Sequence, residues 1–209
     1  MQNILPFKAQ YIRMFMNLYF RLALTMLRAL FVKTSCPKES TSQIYRVWPH
    51  DLDAFLHMNN GRYSQIMDVA RVDWMMRKGI LKLIKDNQWG AVLGGTMVRF
   101  NRQLKLFQRY KVHTTLSHWD EKWFYFEHKF ESLDGKVISV GVTRAGLLKK
   151  GLFINTANVV DMVDASLSIP LKPKSLNDWM IADEQLHTEC IQSNHNTLKI
   201  KRDVCSVNE

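Results

Sequence analysis

One short segment, residues 51–63, concentrates side chains that can donate, accept or carry charge. It reads Asp-Leu-Asp-Ala-Phe-Leu-His-Met-Asn-Asn-Gly-Arg-Tyr and stands just ahead of an amphipathic helical pattern. The first backbone N–H groups of a helix have no partner inside it, and the helix dipole favours negative charge there. We therefore expect this segment to carry charge-stabilising chemistry, and the rest of the chain to position it.

Composition predicts one domain with room for an appendage. The chain has 209 residues, of which 46% are hydrophobic, so it can bury a sizeable core. Its net charge of +10 suits anionic partners such as nucleic acid, acidic lipid or a phosphate-bearing small molecule, or is simply a basic surface. Nucleic acid is the weakest of these, because the charge is spread along the chain and no aromatic–basic stacking platform is evident.

The three cysteines predict neither a disulfide nor a metal site. Cys36, Cys190 and Cys205 are far apart and odd in number, and no Cys/His group has metal-ligand spacing. We expect a reducing compartment, no cofactor and no catalytic cysteine.

Residues 1–38 form a separate basic segment with no acidic residue. On a helix, its polar positions form one narrow stripe, and the surrounding positions are apolar. The stripe consists of Arg13, Asn17, Arg21, Thr25 and Arg28. Three readings stay open: an amphipathic helix lying in a membrane interface, a helix packed on the domain or a dimer partner, and a degenerate anchor that inserts. No charge-free run approaches the ~20 residues that span a bilayer.

The central helix is predicted to begin near Gly61, with Asn59 or Asn60 as its N-cap, and to end at Gly79. A second short helix follows over 81–86. The apolar positions of the first helix recur every three or four residues. Its outer face is predicted to carry Arg62, Gln65, Asp68, Arg71 and Asp73.

Strand patterns surround this helix. A short strand is predicted over 43–47, and four more over 89–106, 110–119, 123–131 and 136–148, with a bulge at Gly94-Gly95 and a hairpin at Asp134-Gly135. The fold class is therefore α+β, an antiparallel sheet wrapped around one long helix. Residues 39–155 form this domain, 156–209 a C-terminal helical cover and tail, and residues 194–209 are expected to fray.

The order of elements and the string Asp51-Leu-Asp53…His57-Met-Asn59-Asn60…Tyr63 resemble the hotdog-fold thioesterases. The branch is that of the 4-hydroxybenzoyl-CoA thioesterase-like proteins, close to thioesterase superfamily member 6-like proteins. The resemblance covers residues 44–150 and continues in two further stretches. These are Asp68…Ala70-Arg71 and Trp119-Asp120…Phe124-Tyr125…Glu127…Phe130…Ser132…Asp134-Gly135.

The resemblance implies that an acyl-CoA or related thioester binds between two protomers at the start of the helix. It implies that Asp53 is the catalytic carboxylate and that His57 assists it. Thioester hydrolysis needs an activated water or a nucleophile, and Asp53 could supply either. Phe55 replaces the functional asparagine of plant acyl carrier protein thioesterases, so a three-residue Asp/Asn/His mechanism is in doubt.

Substrate contacts are expected from the residues that open the helix. Backbone N–H groups of Gly61 and Arg62 could hold the carbonyl oxygen. Alternatively, one asparagine is an N-cap and Tyr63 is a core residue. The expected substrate-binding residues are Asn59, Asn60, Gly61, Arg62 and Tyr63.

Charged residues outside the expected catalytic and substrate-binding set are given structural or alternative roles. Asp51 is expected to be a turn residue, and Asp68 to pair with Arg71 or Arg62. Arg99, Arg102 and Lys105 could meet the CoA phosphates or form a solvated strand edge.

Two functions remain. The first is an acyl-CoA thioesterase, a homodimer or homotetramer that is either free in the cytoplasm or peripheral at a membrane surface through residues 1–33. The second is a non-catalytic hotdog protein that binds acyl groups or scaffolds partners at a membrane.

Overall fold

The computed structural model describes residues 19–27 and 39–206. The predicted N-terminal helix thus falls partly outside the described residues, and its polar positions 13, 17 and 28 lie wholly outside them. The described chain divides into two compact units, one ending at Pro170 and the other beginning at Leu171. No helix within these described ranges is long and apolar enough to cross a bilayer.

The first unit is built around a long helix, α2 (Asn60–Arg77). It follows helix α1 (residues 19–27), strand β1 (Thr41–Arg46) and a 3₁₀ turn (Pro49–Asp51). The chain then leaves α2 through Gly79, whose φ of 75° suits glycine, into α3 (Ile80–Asp86).

The remaining elements of this unit are four long strands, one short strand and a helix. They are β2 (Gly90–Phe100), β3 (Arg109–Trp119), β4 (Phe124–Ser132), β5 (Val137–Lys149), β6 (Leu152–Phe153) and α4 (Thr156–Asp164). All pairings are antiparallel in the order β1-β3-β4-β5-β2, with β6 beside β5. This is the predicted α+β arrangement, and the register shift between Leu93 and Gly95 is the predicted bulge.

Helix α2 lies against the sheet and buries two apolar clusters along its length. Near its N-terminus the cluster includes Tyr63, Ile66 and Met67. Toward its C-terminus a second cluster joins Trp74 to side chains of the sheet and α4. A Cβ at Gly141 would lie 2.5 Å from the Met67 sulfur, so glycine at that position lets α2 approach β5 closely.

One sequence expectation about α2 was wrong. Asp73 does not face outward: it is buried, and its carboxylate lies 2.8 Å from Arg77 Nε one turn later. Burial raises the pKa of Asp73 while the Arg77 charge lowers it. The second unit contains α5 (Lys174–Ser206), which includes residues 194–206. Fraying of the tail stays a prediction.

Helix α1 turns its polar side inward. Arg21 and Thr25, both on the predicted polar stripe, are buried, whereas Tyr19, Phe20 and Leu27 are more than half exposed. Arg21 contacts the Asp51 carboxylate. The described part of the segment therefore packs on the domain, as one of the three readings predicted, and leaves an apolar side exposed.

Candidate active site

The segment singled out in the sequence folds into a tight turn before α2. Asp53 N–H donates to the His57 carbonyl at 3.0 Å, and Leu56 N–H donates to the Asp53 carbonyl at 3.2 Å. Leu56 has a φ of 60°, a conformation that branched side chains rarely adopt. Met58, buried in the first core cluster, anchors the turn through its N–H bond to Leu104. The strained backbone brings the two ends of the turn together.

The turn joins Asp53 and His57. Asp53 Oδ2 lies 3.2 Å from His57 Nδ1, and the side chains are 19% and 24% exposed. The other carboxylate oxygen accepts a bond from Phe55 N–H at 2.9 Å. A carboxylate held from two directions but open to solvent can orient an imidazole or act on a bound molecule.

Asn59 is the N-cap of α2. Its side-chain oxygen accepts from Gly61 N–H at 2.8 Å, while its carbonyl accepts from Arg62 N–H at 2.9 Å. The expectation that these two N–H groups hold a carbonyl oxygen is therefore wrong for this conformation, because capping has already used them. Asn60 N–H, the first of the helix, has no hydrogen-bond partner among the described residues.

Arg62 and Asp51 form a second charged group behind the turn. The Arg62 guanidinium donates to the His50 carbonyl at 2.8 Å, contacts Gln65 and has its Nε 3.7 Å from Asp51. Asp51 is 1% exposed and also accepts from Trp48 N–H at 2.8 Å. Arg62 thus holds the loop rather than facing the solvent.

Asp51 is the structural residue that sequence reasoning undervalued. It was expected to be a simple turn residue, but it joins the 3₁₀ turn, α2 and α1 through its contacts with Arg62 and Arg21. The arginine that completes this group stands thirty residues earlier in the chain.

Tyr63 lies in the core. It is 2% exposed, and its ring centre is 5.0 Å from that of Phe100 and 5.1 Å from that of Phe130. Burial raises its pKa to about 12. The structure thus gives Tyr63 the core position that was the alternative to substrate binding.

Of the three basic residues at and beyond the end of β2, one contacts the turn. Lys105 pairs with His57 as an isolated antiparallel bridge, which places its backbone beside the Asp53–His57 pair. Arg102 is exposed, and Arg99 donates to the Asn101 side chain at 3.4 Å. Only Lys105 has a described contact with the candidate site.

A second polar cluster was not predicted. His128 is fully buried, with Thr114 Oγ1 3.1 Å from Nδ1 and Thr143 Oγ1 3.2 Å from Nε2. Burial, and secondarily the Arg71 charge, lower its pKa to about 3, so the imidazole is neutral. Arg71 continues the cluster to Thr143 at 3.2 Å and to Asp68 at 2.7 Å. The expected pairing of Asp68 with Arg71 is confirmed.

No group of three or more His, Cys, Asp or Glu residues in the described part of the chain could hold a metal ion. The candidate site consists of a carboxylate, an imidazole and a helix N–H that has no partner among the described residues.

Sequence comparison relates the chain to thioesterase-like proteins. The model of the thioesterase-like superfamily matches residues 47–174. Protein THEM6 of Drosophila melanogaster is 31% identical over 171 residues, covering 80% of this chain and 86% of that protein. Protein THEM6 of Xenopus laevis is 30% identical over 187 residues, with coverages of 85% and 87%. A probable thioesterase of Saccharomyces cerevisiae is 27% identical over 105 residues, or 49% of this chain and 45% of that one.

Solved structures support the hotdog fold. A gentisyl-coenzyme A thioesterase superposes with a TM-score of 0.52 at 21% identity, covering 58% of this chain and 99% of that one. A Staphylococcus aureus protein solved in complex with CoA gives a TM-score of 0.55 at 13% identity, with coverages of 68% and 94%. At these identities the likeness concerns the fold alone, and it confirms the predicted architecture.

Proposed function

Because the chain belongs to the thioesterase-like superfamily, we propose that it hydrolyses acyl-CoA thioesters with Asp53 as the catalytic carboxylate. The observation that carries this proposal is the Asp53–His57 pair beside the start of α2. Asp53 Oδ2 and His57 Nδ1 are 3.2 Å apart, and both side chains are partly exposed, so a substrate can reach them. The nearby Asp51 is buried and has no such access to a substrate.

Asp53 could act in either of two ways. As a general base it takes a proton from water, which attacks the thioester carbon. As a nucleophile it forms a mixed anhydride, which water then hydrolyses. In both, His57 orients the carboxylate through Nδ1, and CoA leaves as a thiolate that takes up a proton released by the attacking water. Incorporation of ¹⁸O from labelled water into Asp53 during a single turnover would identify the nucleophilic route, because the general-base route never forms or breaks a bond to the Asp53 oxygens.

The developing oxyanion needs a donor, and Asn60 supplies one in this proposal. Its N–H is the first of α2, has no partner among the described residues and lies at the positive end of the helix dipole. The Asn60 side chain is exposed beside it. Asn59, in contrast, acts through the helix cap.

The proposal is tested by thiol release from acyl-CoAs of short, medium and long chain length and with aromatic acyl groups. The full chain is assayed beside Asp53→Asn. Turnover of at least one substrate that disappears in the variant supports the proposal. A folded protein that binds acyl-CoA but turns over none of them would replace it with acyl binding without catalysis.

A second copy of the chain is proposed to complete the site. Strand β2 stands at the edge of the sheet, is eleven residues long and exposes Leu93 and Phe100. A long, apolar edge strand invites pairing with another strand. Sedimentation equilibrium should give a dimer or tetramer mass, and a monomer at assay concentration would contradict this part of the proposal.

Membrane-surface attachment in the cytoplasm, with acyl binding or scaffolding there, is the second candidate function. The observation favouring it is the exposed apolar side of α1, with Phe20 at 64% and Leu27 at 54% exposure. A helix with one exposed apolar side suits a bilayer interface, and the sequence places Arg28 and Lys33 just after residue 27, where cations favour an anionic surface.

Flotation with vesicles of phosphatidylcholine and phosphatidylserine tests this second function. The full chain is compared with Phe20→Glu/Leu27→Glu and with Met162→Glu, which alters an exposed apolar residue on α4. Loss of flotation in the α1 variant alone is expected. Equal flotation of all three would contradict a role for α1.

A further inference from the structure

An apolar cavity of about 330 Å³ lies beside the C-terminal half of α2. Its walls come from α2, α3, β2 and β5, and α4 covers it with Val159, Val160 and Val163. Apart from Asp68 and Arg71, the lining residues are apolar or glycine. Volume and lining match those of pockets that bind small apolar ligands.

The cavity is a partly open pocket, since Asp68 and Leu93 in its wall are each about half exposed. Its volume lies at the lower end of the range of about 300–1,000 Å³ that is typical of small-molecule pockets. An apolar ligand can therefore enter it without a rearrangement of the core.

The candidate active site and this cavity lie along the same face of α2. Asn60, Ser64, Asp68, Arg71 and Met75 are separated by four, four, three and four residues, which places them on the same side of the helix. The last three of them line the cavity. Eight residues separate Asn60 from Asp68, a distance of about 12 Å along the helix axis.

The two charged residues that line the cavity, Asp68 and Arg71, neutralise each other. One Arg71 nitrogen donates to Asp68 at 2.7 Å and another to Thr143 at 3.2 Å. A ligand with an anionic end would have to compete with Asp68 for the guanidinium. The chemistry of the cavity therefore favours the apolar end of a ligand over its head group.

We propose that this cavity holds the methyl end of a long-chain fatty acyl group whose thioester lies at the start of α2. The position of the thioester rests on the proposed function; the hydrocarbon site does not. An extended chain advances about 1.2 Å per bond, as the polypeptide does over three bonds per residue. Crossing 12 Å thus takes roughly ten bonds, so only longer chains reach the cavity.

Binding of free fatty acids tests the site without any catalysis. Saturated acids of eight, twelve and sixteen carbons compete with a fluorescent polyene fatty acid on the wild type, on Val163→Trp and on Met162→Trp. Val163 lines the cavity, whereas its neighbour Met162 is exposed outside it. We expect the sixteen-carbon acid to bind the wild type and Met162→Trp, and its affinity to fall at least tenfold in Val163→Trp. Equal affinity in the two variants would overturn the proposal.

A measurement on the unaltered protein guards against misfolding of Val163→Trp. A sixteen-carbon acid with a photoreactive terminal diazirine should crosslink to α4 and to residues 68–75. Crosslinks confined to other surfaces would overturn the proposal.

Hydrolysis rates separate the cavity from the proposed function. With acyl-CoAs of four to eighteen carbons, kcat/KM should rise once the chain exceeds about ten carbons in the wild type and in Met162→Trp, and this rise should be lost in Val163→Trp. Fatty acid binding without hydrolysis of any acyl-CoA would overturn the proposed thioesterase activity but support the hydrocarbon site. Hydrolysis with no chain-length effect and no fatty acid binding would overturn the hydrocarbon site but support the thioesterase activity.

Discussion

Two aspartates two residues apart occupy opposite environments. Asp51 is 1% exposed, contacts Arg21 and accepts from Trp48 N–H. Asp53 is 19% exposed, and its side-chain partners are His57 and one backbone N–H. The first carboxylate is enclosed by the groups it holds together, while the second keeps a side open to solvent.

The difference shows how burial assigns roles to identical side chains. A buried carboxylate must keep its partners, because losing one leaves a charge in a medium that solvates it poorly. A partly exposed carboxylate can exchange water for a substrate without that cost. We therefore assign stability to Asp51 and chemistry to Asp53, and the following predictions test this division.

The largest expected effect is the loss of turnover in Asp53→Asn. An amide cannot take a proton or form an anhydride, so kcat should fall by about 10²–10⁴-fold. Steady-state thiol release with the best acyl-CoA measures it. The melting temperature should stay close to that of the wild type, and a kcat within threefold of wild type would mean that Asp53 is not catalytic.

The opposite result is expected from Asp51→Asn. It leaves the buried Arg21 without a counter-charge, which should cost about 3 kcal/mol of the free energy of unfolding. Urea denaturation followed by circular dichroism gives this quantity. An unchanged denaturation midpoint would show that the Asp51 cluster does not hold the loop and α1.

A smaller loss of activity is expected when the partner of Asp53 changes. His57→Gln keeps a polar side chain but loses the imidazole that orients the carboxylate, so kcat should fall by roughly ten- to hundredfold. KM should change less than kcat, since the carboxylate itself remains. Wild-type kcat in this variant would separate His57 from the catalytic pair.

The buried His128 makes stability depend on pH independently of the two aspartates. Burial lowers its pKa from 6.5 to about 3, so between these values the unfolded chain binds a proton that the folded protein does not. The free energy of unfolding should therefore fall by about 1 kcal/mol for each pH unit below 6.5. Urea denaturation at about pH 7 and about pH 5 measures the slope, and His128→Gln should flatten it.

The smallest expected effect is a change in the free energy of unfolding that distinguishes Asn59, the helix cap, from its neighbour Asn60. Asn59→Ala removes the acceptor for Gly61 N–H and should lower the free energy of unfolding by about 1 kcal/mol. Asn60→Ala is the matched control, because its exposed side chain has no bond within the described part of the protein. Equal destabilisation by both variants would contradict the capping assignment.

Local signals in the sequence predicted most of the fold. The Asp134-Gly135 hairpin forms with Gly135 at a φ of 86°, and Gly79 ends α2 with a φ of 75°. Asn59 caps the helix as one of two candidates. These features depend on residues within a few positions of each other, so pattern and backbone preference are enough.

Contacts between distant residues could not be read from the sequence. The partner of Asp51 is Arg21 from another helix, and His128 depends on Thr114 and Thr143 from neighbouring strands. Predicting these pairs requires the docking of α1 or the strand register, which local patterns do not contain. The paired Asp53 and His57 could be found because a single turn joins them.

The most direct test of the account measures two properties of two variants. Asp53→Asn and Asp51→Asn are compared for kcat/KM with the preferred acyl-CoA, below both melting temperatures, and for free energy of unfolding. The account predicts that Asp53→Asn loses activity and keeps stability, whereas Asp51→Asn loses stability and keeps most of its activity per folded molecule. If Asp51→Asn lost turnover while Asp53→Asn retained it, the assignment of the catalytic carboxylate would be wrong.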